Sequence, residues 1–226
     1  MLNKMLLKDI IEQGRKTLSA TYSEGEAREM VFAYLEHSIG TKRHTHIVEP
    51  SYEVSDEHVS LAMSAFARMA SGEPLQYVTG CADFYGRVFR VTADVLIPRP
   101  ETEMLVEYAI EKINKKGLKV VFDICCGSGC IGLSIAKRCH QVQVYCIDVS
   151  DEALEYTRQN KEMLDVDNVK IIKADMLDDS SFIGLPRPDI ILSNPPYIKS
   201  EDMKTLSPEV LHEPYIALDG GHDGLD

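Results

Sequence analysis

The sequence predicts an α/β protein: a small N-terminal helical bundle, then a parallel, Rossmann-like sheet whose C-terminal edge is missing. Three observations carry this. The first 80 residues place apolar side chains at helical spacing. From residue 119 onward, continuous apolar runs alternate with amphipathic helices, the pattern of βαβ units with right-handed crossovers. Only four such strands follow the single hairpin before the sequence stops at "GGHDGLD", one edge short of a full sheet.

The helical part reads in three pieces. "LKDIIEQGRKTLSA" is the first. "SEGEAREMVFAYLEHSIG" opens on Ser23 with Glu26 three positions later, a capping box, and stops at Gly40. "SDEHVSLAMSAFARMASG" repeats the design with Ser55 as N-cap and Gly72 as stop. His37, His44, His46 and His58 in this part form no ligand set and read as exposed polar residues. Next, Phe84, Tyr85, Val88 and Phe89 are strand formers with Gly86 and Arg87 between them, a hairpin. Pro98 and Pro100 bracket Arg99, and Pro100 suits the first turn of the helix "ETEMLVEYAIEKINKKG". The domain boundaries that follow are 1–80 for the helical domain, 81–100 for a hairpin linker and 101–226 for the sheet domain.

In the sheet domain "KVVFDI", "QVYCID", "VKIIKAD" and "DIILSN" are the four strands. Ligands of such sheets sit beyond the C-terminal strand ends. Asp123, Asp148 and Asp175 occupy three of those ends. "DICCGSGC" joins the first strand to its helix, and Gly127 and Gly129 let the backbone turn tightly against a ligand. Asp148 lies 19 positions after Gly129, where a carboxylate accepts both hydroxyls of a ribose. "GSGCIG", from Gly127 to Gly132, also fits a dinucleotide fingerprint, so on that motif alone an NAD enzyme stays open.

The fourth strand end argues otherwise. In "DIILSNPPYIKS" the strand must stop at Asn194, because proline has no N–H to give a ladder. Pro195 and Pro196 make the backbone rigid. The Asn194 side-chain oxygen and the Pro195 carbonyl are two fixed acceptors for the two hydrogens of a planar NH₂ group, and Tyr197 can pack flat on that group. Such a site suits methyl transfer from a sulfonium donor to an amide or aryl amine, where positioning supplies the gain. An oxidoreductase has no use for it.

Composition narrows the partners. The formal net charge of −12 disfavours a phosphate backbone as partner, so no direct nucleic-acid binding is expected. No apolar run approaches the roughly 20 residues of a membrane span, and "MLNKMLLKDIIEQ" is not a secretory signal, so no membrane association and a cytoplasmic location are expected. The C-C-x3-C spacing at Cys125, Cys126 and Cys130 is not a zinc pattern; these thiols, with Cys139 and Cys146, read as small reduced packing residues, with no metal.

"GEPLQYVTG", "FYG", "VLIPRPETE", "DICCGSGC", "SNPPYI" and "ALDGGHDGL", in this order, resemble the peptide-chain release factor glutamine N5-methyltransferases, the HemK-like family, over essentially the whole chain. The resemblance implies an S-adenosylmethionine-dependent methyltransferase domain. It implies release factors as protein substrates, with the Gly-Gly-Gln glutamine as methyl acceptor and the helical domain as the substrate-recognition domain. On this chain the implied donor loop is Cys125, Cys126, Gly127, Ser128 and Gly129, flanked by Asp123, with Asp148 on the ribose and Asp175 and Met176 beside the adenine. Asn194 would touch donor and substrate, with Asn194, Pro195, Pro196 and Tyr197 holding the glutamine and Asn194, Pro195 and Tyr197 serving the transfer. Two departures stand out: Cys125 and Cys126 replace the usual Gly-Thr, and the family continues beyond the point where this sequence stops. Glutamine methylation of a ribosomal protein, a nucleic-acid amino methyltransferase and a donor-binding protein without catalysis are the alternatives.

Overall fold

The computed structural model describes residues 5–225. Met1–Lys4, part of the stretch read above for a secretory signal, and Asp226 lie outside the described residues. The chain forms two compact units, one of Met1–Thr79 with Pro208–His212, the other of Gly80–Ser207 with Glu213–Asp226. Among the described residues no helix is long and apolar enough to cross a membrane.

The first unit is built on α1 (Leu7–Leu18), α2 (Glu24–Ile39) and α3 (Asp56–Ala70). Ile10, Val31, Leu35, Phe66 and Met69 form its core, all at helical spacing on their own elements. The expected capping box is present: Ser23 Oγ accepts from the Glu26 N–H, and Glu26 Oε2 accepts from the Ser23 N–H at 3.0 Å. Gly40 ends α2 at φ 70, the left-handed position that L side chains resist.

The second unit opens with a hairpin of β1 (Cys81–Phe84) and β2 (Arg87–Arg90). Its turn is Tyr85–Gly86, with φ of 50 and 68, whereas the sequence pointed one residue further on to Gly86 and Arg87. A two-residue loop with both φ positive matches the right-handed twist of the strands, and Arg87 is thereby freed to begin β2. α4 (Glu103–Lys116) follows, then β3 (Val120–Ile124), α5 (Cys130–Arg138), β4 (Gln143–Asp148), α6 (Asp151–Leu164), β5 (Val169–Lys173) and β6 (Ile190–Ser193).

The four strands form one parallel sheet in the order β5-β4-β3-β6. β3 thus pairs with β4 on one side (Val121 opposite Val144) and with β6 on the other (Val121 opposite Ile190). The reversal of strand order falls between β3 and β6, and a crevice opens at such a point beyond the strand ends. Val121, Val144 and Leu192 on one face pack with Val106, Ile113 and Leu133 from α4 and α5. Phe122 and Tyr145 on the other face are covered by Phe182 and Leu185 from the loop before β6.

Candidate functional site

Two clefts open at the reversal point, both lined by the second unit. The first, of about 200 Å³, is walled by the loop after β3 (Cys125, Cys126, Gly127, Ser128), the end of β4 (Asp148), the turn after β5 (Asp175, Met176) and by Asn194 and Pro196 after β6. The second, of about 380 Å³, is walled by Glu101, Leu105, Ser193 and Tyr197. Asn194, Arg99 and Thr102 line both. Residues some 70 positions apart in sequence thus meet because four parallel strands end at one rim.

The loop after β3 owes its shape to contacts behind it. Asp148 Oδ2 accepts from the Gly127 N–H at 2.8 Å, and its Oδ1 accepts from the Ser150 N–H at 3.0 Å. Ser150, not Asp148, caps α6, its Oγ accepting from the Ala153 N–H at 3.1 Å. From α6, the buried Thr157 hydroxyl donates to the Gly127 carbonyl at 2.8 Å. Asn160 donates to the Ser128 carbonyl at 2.9 Å and to the Arg90 carbonyl at 3.1 Å, and accepts from the Arg90 N–H at 2.7 Å. Gly127 faces open space, so a ligand can approach its backbone. Gly132 cannot be anything larger: an added Cβ would lie 2.6 Å from Cys146 Sγ and 2.9 Å from Asp123 Oδ2.

Three of the residues singled out by sequence line neither cleft: Asp123, Gly129 and Pro195. Asp123 was expected beside the cofactor but is fully buried on the helix-covered face of the sheet. Successive side chains of a strand point to opposite faces, and Asp123 shares the face of Val121, away from the rim. Its Oδ2 accepts from the Gly132 N–H at 2.8 Å, whereas Oδ1 has no partner. Burial pushes its carboxyl up to about 7, the Gly132 hydrogen bond opposing the shift and the Asp148 charge adding to it. Gly129 is packed under Thr157 and Leu133.

The cysteines are all free thiols. Burial, then the Asp148 charge, pushes Cys125 up to about 11, and burial pushes Cys130 up to about 12. Cys125 and Cys130 are therefore neutral thiols near neutral pH. Cys125 lies in the cleft wall with its Sγ 3.3 Å from Met176 Sδ.

The Asn-Pro-Pro-Tyr turn is braced from both ends. Ser193 Oγ donates to the Ile124 carbonyl at 2.8 Å, tying β6 to β3. Downstream, Ile198 forms a parallel bridge with Asp219, and Ser200 Oγ donates to Asp219 Oδ1 at 2.7 Å. An added Cβ on Gly220 would lie 2.9 Å from the Pro196 carbonyl oxygen, and one on Gly224 would lie 2.6 Å from that of Tyr197. Gly220 and Gly224 of "ALDGGHDGL" thus let one backbone lie against another. Tyr197 itself is 66% exposed.

Thr157, Asn160, Ser193 and Glu213 escaped the sequence reading. For two of them a signal existed: Thr157 and Asn160 fall on the same face of α6 as the buried Ala153 and Leu154. Polar residues on an apolar stripe need partners, and here the partners are loop carbonyls.

The Methyltransferase small domain family matches residues 101–219, and the PrmC N-terminal domain family matches residues 9–80. The release factor glutamine methyltransferase of Clostridium acetobutylicum is 36% identical over 226 residues, spanning 98% of this chain and 78% of that protein. The MTRF1L release factor glutamine methyltransferase of Homo sapiens is 33% identical over 214 residues, spanning 89% of this chain and 63% of that protein. Among solved structures, a SAM-dependent methyltransferase from Agrobacterium tumefaciens is 20% identical with a TM-score of 0.42, spanning 51% of this chain and 39% of that one.

Proposed function

The chain belongs to the release factor glutamine methyltransferase family, and from that premise we propose that it methylates the side-chain nitrogen of the glutamine in the Gly-Gly-Gln motif of peptide-chain release factors. It is an enzyme, and its methyl donor is S-adenosylmethionine. The residues of the first cleft fit that donor: an open backbone at Gly127, a carboxylate at the end of β4, and apolar Met176 and Leu177 beside Asp175. Cys125 to Ser128 would hold the donor from one side, Asp148 its ribose, and Asp175 with Met176 its adenine. When bound, S-adenosylmethionine supplies an electrophilic methyl group on a sulfonium.

The observation that carries the reading is that Asn194 lines both clefts. A residue shared by two adjoining clefts can touch a donor in one and an acceptor in the other. The Asn194 side-chain oxygen accepts one hydrogen of the glutamine NH₂, which helps to aim the nitrogen; the Pro195 carbonyl, expected from the sequence as the second acceptor, belongs to a residue that lines neither cleft. Amide nitrogen is a poor nucleophile, so alignment and polarisation of its N–H bonds contribute most of the gain. The proton leaves late, and no strong base is needed. Tyr197 packs on the planar amide. The helical unit would contribute to recognition of the release factor, and the formal charge of −12 favours a protein over a nucleic-acid substrate.

Mass spectrometry of a release factor incubated with this chain and S-adenosylmethionine tests the proposal. One added methyl on the Gly-Gly-Gln glutamine is expected. A methyl on any other residue, or an unmodified release factor beside a methylated ribosomal protein, would refute the assignment.

A further inference from the structure

Glu213 lies outside the motifs that suggested the site, yet its side chain is 2% exposed. Its Oε2 accepts from the Ile97 N–H at 3.1 Å, and its Oε1 is bound by the Arg99 guanidinium. A buried carboxylate without its partner is costly, so the pair holds Arg99 in one place. That place is the wall shared by the two clefts.

The electrostatics of the first cleft are lopsided. Asp94, Asp148 and Asp175 line it, and among the described residues Arg99 is the only cationic side chain lining it. The donor carries a sulfonium, an ammonium and a carboxylate. The acids suit the two positive groups and the ribose hydroxyls, but they repel the carboxylate. The second cleft, by contrast, would receive a neutral amide, which has no need of a full charge.

We infer that Arg99, positioned by Glu213, takes the α-carboxylate of the methyl donor, an assignment that rests on the donor reading of the first cleft. Guanidinium carries five N–H donors in a planar fork. Engagement of Nη2 by Glu213 therefore leaves donors for a second carboxylate. Arg99 is a binding residue on this account, and Glu213 is a positioning residue that acts through it.

The test compares two ligands by calorimetry: S-adenosylmethionine and its decarboxylated form, which differs only in lacking the carboxylate. The wild-type chain is expected to bind the intact donor about 10- to 100-fold more tightly, the range of a charge-assisted hydrogen-bonded pair. In the double variant Arg99→Gln with Glu213→Gln, which leaves no buried charge unpaired, that gap should shrink to within about threefold. The affinity for the decarboxylated form should be kept, which also reports a folded site. Glu213→Gln alone should narrow the gap in part; a merely structural role would weaken both ligands alike and would overturn the positioning. Should the double variant not fold, Arg99→Lys, which keeps the charge but loses the fork, should still narrow the gap severalfold. No gap in the wild type, or a gap that survives these substitutions, overturns the assignment. Binding of neither ligand to the wild type overturns the donor reading and this inference with it.

Discussion

Asn160 on α6 donates to the carbonyl of Ser128, 32 positions earlier in the loop after β3, at 2.9 Å. The same amide exchanges two hydrogen bonds with the backbone of Arg90 in the hairpin. One fully buried side chain thus joins the hairpin to the loop that walls the first cleft. It could not do so from an exposed face, where water would compete for each bond.

Asn160→Ala removes all three bonds and leaves the Arg90 N–H without its partner. At about 1 kcal/mol for each of the three bonds, with a further penalty for the stranded groups, it should destabilise the protein by about 3–5 kcal/mol. Donor affinity should fall as well, because the Ser128 carbonyl is released. Urea unfolding and calorimetry measure the two effects. A variant as stable as the parent would show that the network is dispensable.

Gly132→Ala sets two effects against each other. Within a helix alanine is favoured over glycine by up to about 1 kcal/mol, and Gly132 lies in the first turn of α5. Here the new methyl would lie 2.6 Å from Cys146 Sγ, inside contact distance, and overpacking of this kind costs about 1–3 kcal/mol. The collision should win, with a net loss of stability that a second change, Cys146→Ala, partly restores. If Gly132→Ala raises the melting temperature, the close approach of α5 to β4 is not rigid.

Asn194→Ala should leave donor binding within about tenfold of the parent and lower kcat by at least about 100-fold, the scale of losing one aligned polar contact in a transfer site. Single-turnover methylation of a release factor and donor titration separate the two. Undiminished transfer would remove Asn194 from the mechanism.

Asp123 governs a pH dependence. Its folded carboxyl titrates at about 7 against 3.8 for an unburied aspartate. Between these values the unfolded chain is ionised there while the folded one keeps its proton, so folded stability falls as pH rises through this window and levels off above it. Asp123→Asn removes that slope. The stability of the variant relative to the parent should therefore rise from pH 5 to pH 8, by an amount of order a few kcal/mol. A constant difference over that range would mean that Asp123 stays ionised, paired with something other than Gly132.

Much of this was legible in the sequence because it is local. Ser23 with Glu26, Ser55 and Gly40 act within a few residues of themselves, and each caps its helix as its spacing foretold. The alternation of apolar runs and amphipathic helices marked the parallel sheet, and the strands could be bounded to within two residues because Gly, Pro, Asn and Asp punctuate them. Since parallel strands must all end at the same rim, polar residues at four strand ends already pointed to one crevice.

The directions of side chains were another matter. That Asp123 faces inward beneath Gly132 depends on the parity of β3 against a helix laid over it, and no local pattern distinguishes a carboxylate at a strand end from one turned into the core. The place of Thr157 and Asn160 on the apolar stripe of α6 shows that they need partners, but not that those partners are the loop carbonyls brought against them. The same holds for Arg99 and Glu213, which lie 114 positions apart and belong to no shared motif. By itself the sequence determined the order of the elements, their caps and the rim where the chemistry gathers, because periodicity and turn chemistry act over a few residues. Only the tertiary structure decided which polar groups reach that rim and which brace it from behind, because buried polar groups find partners through space, and those partners come from wherever the packed chain returns.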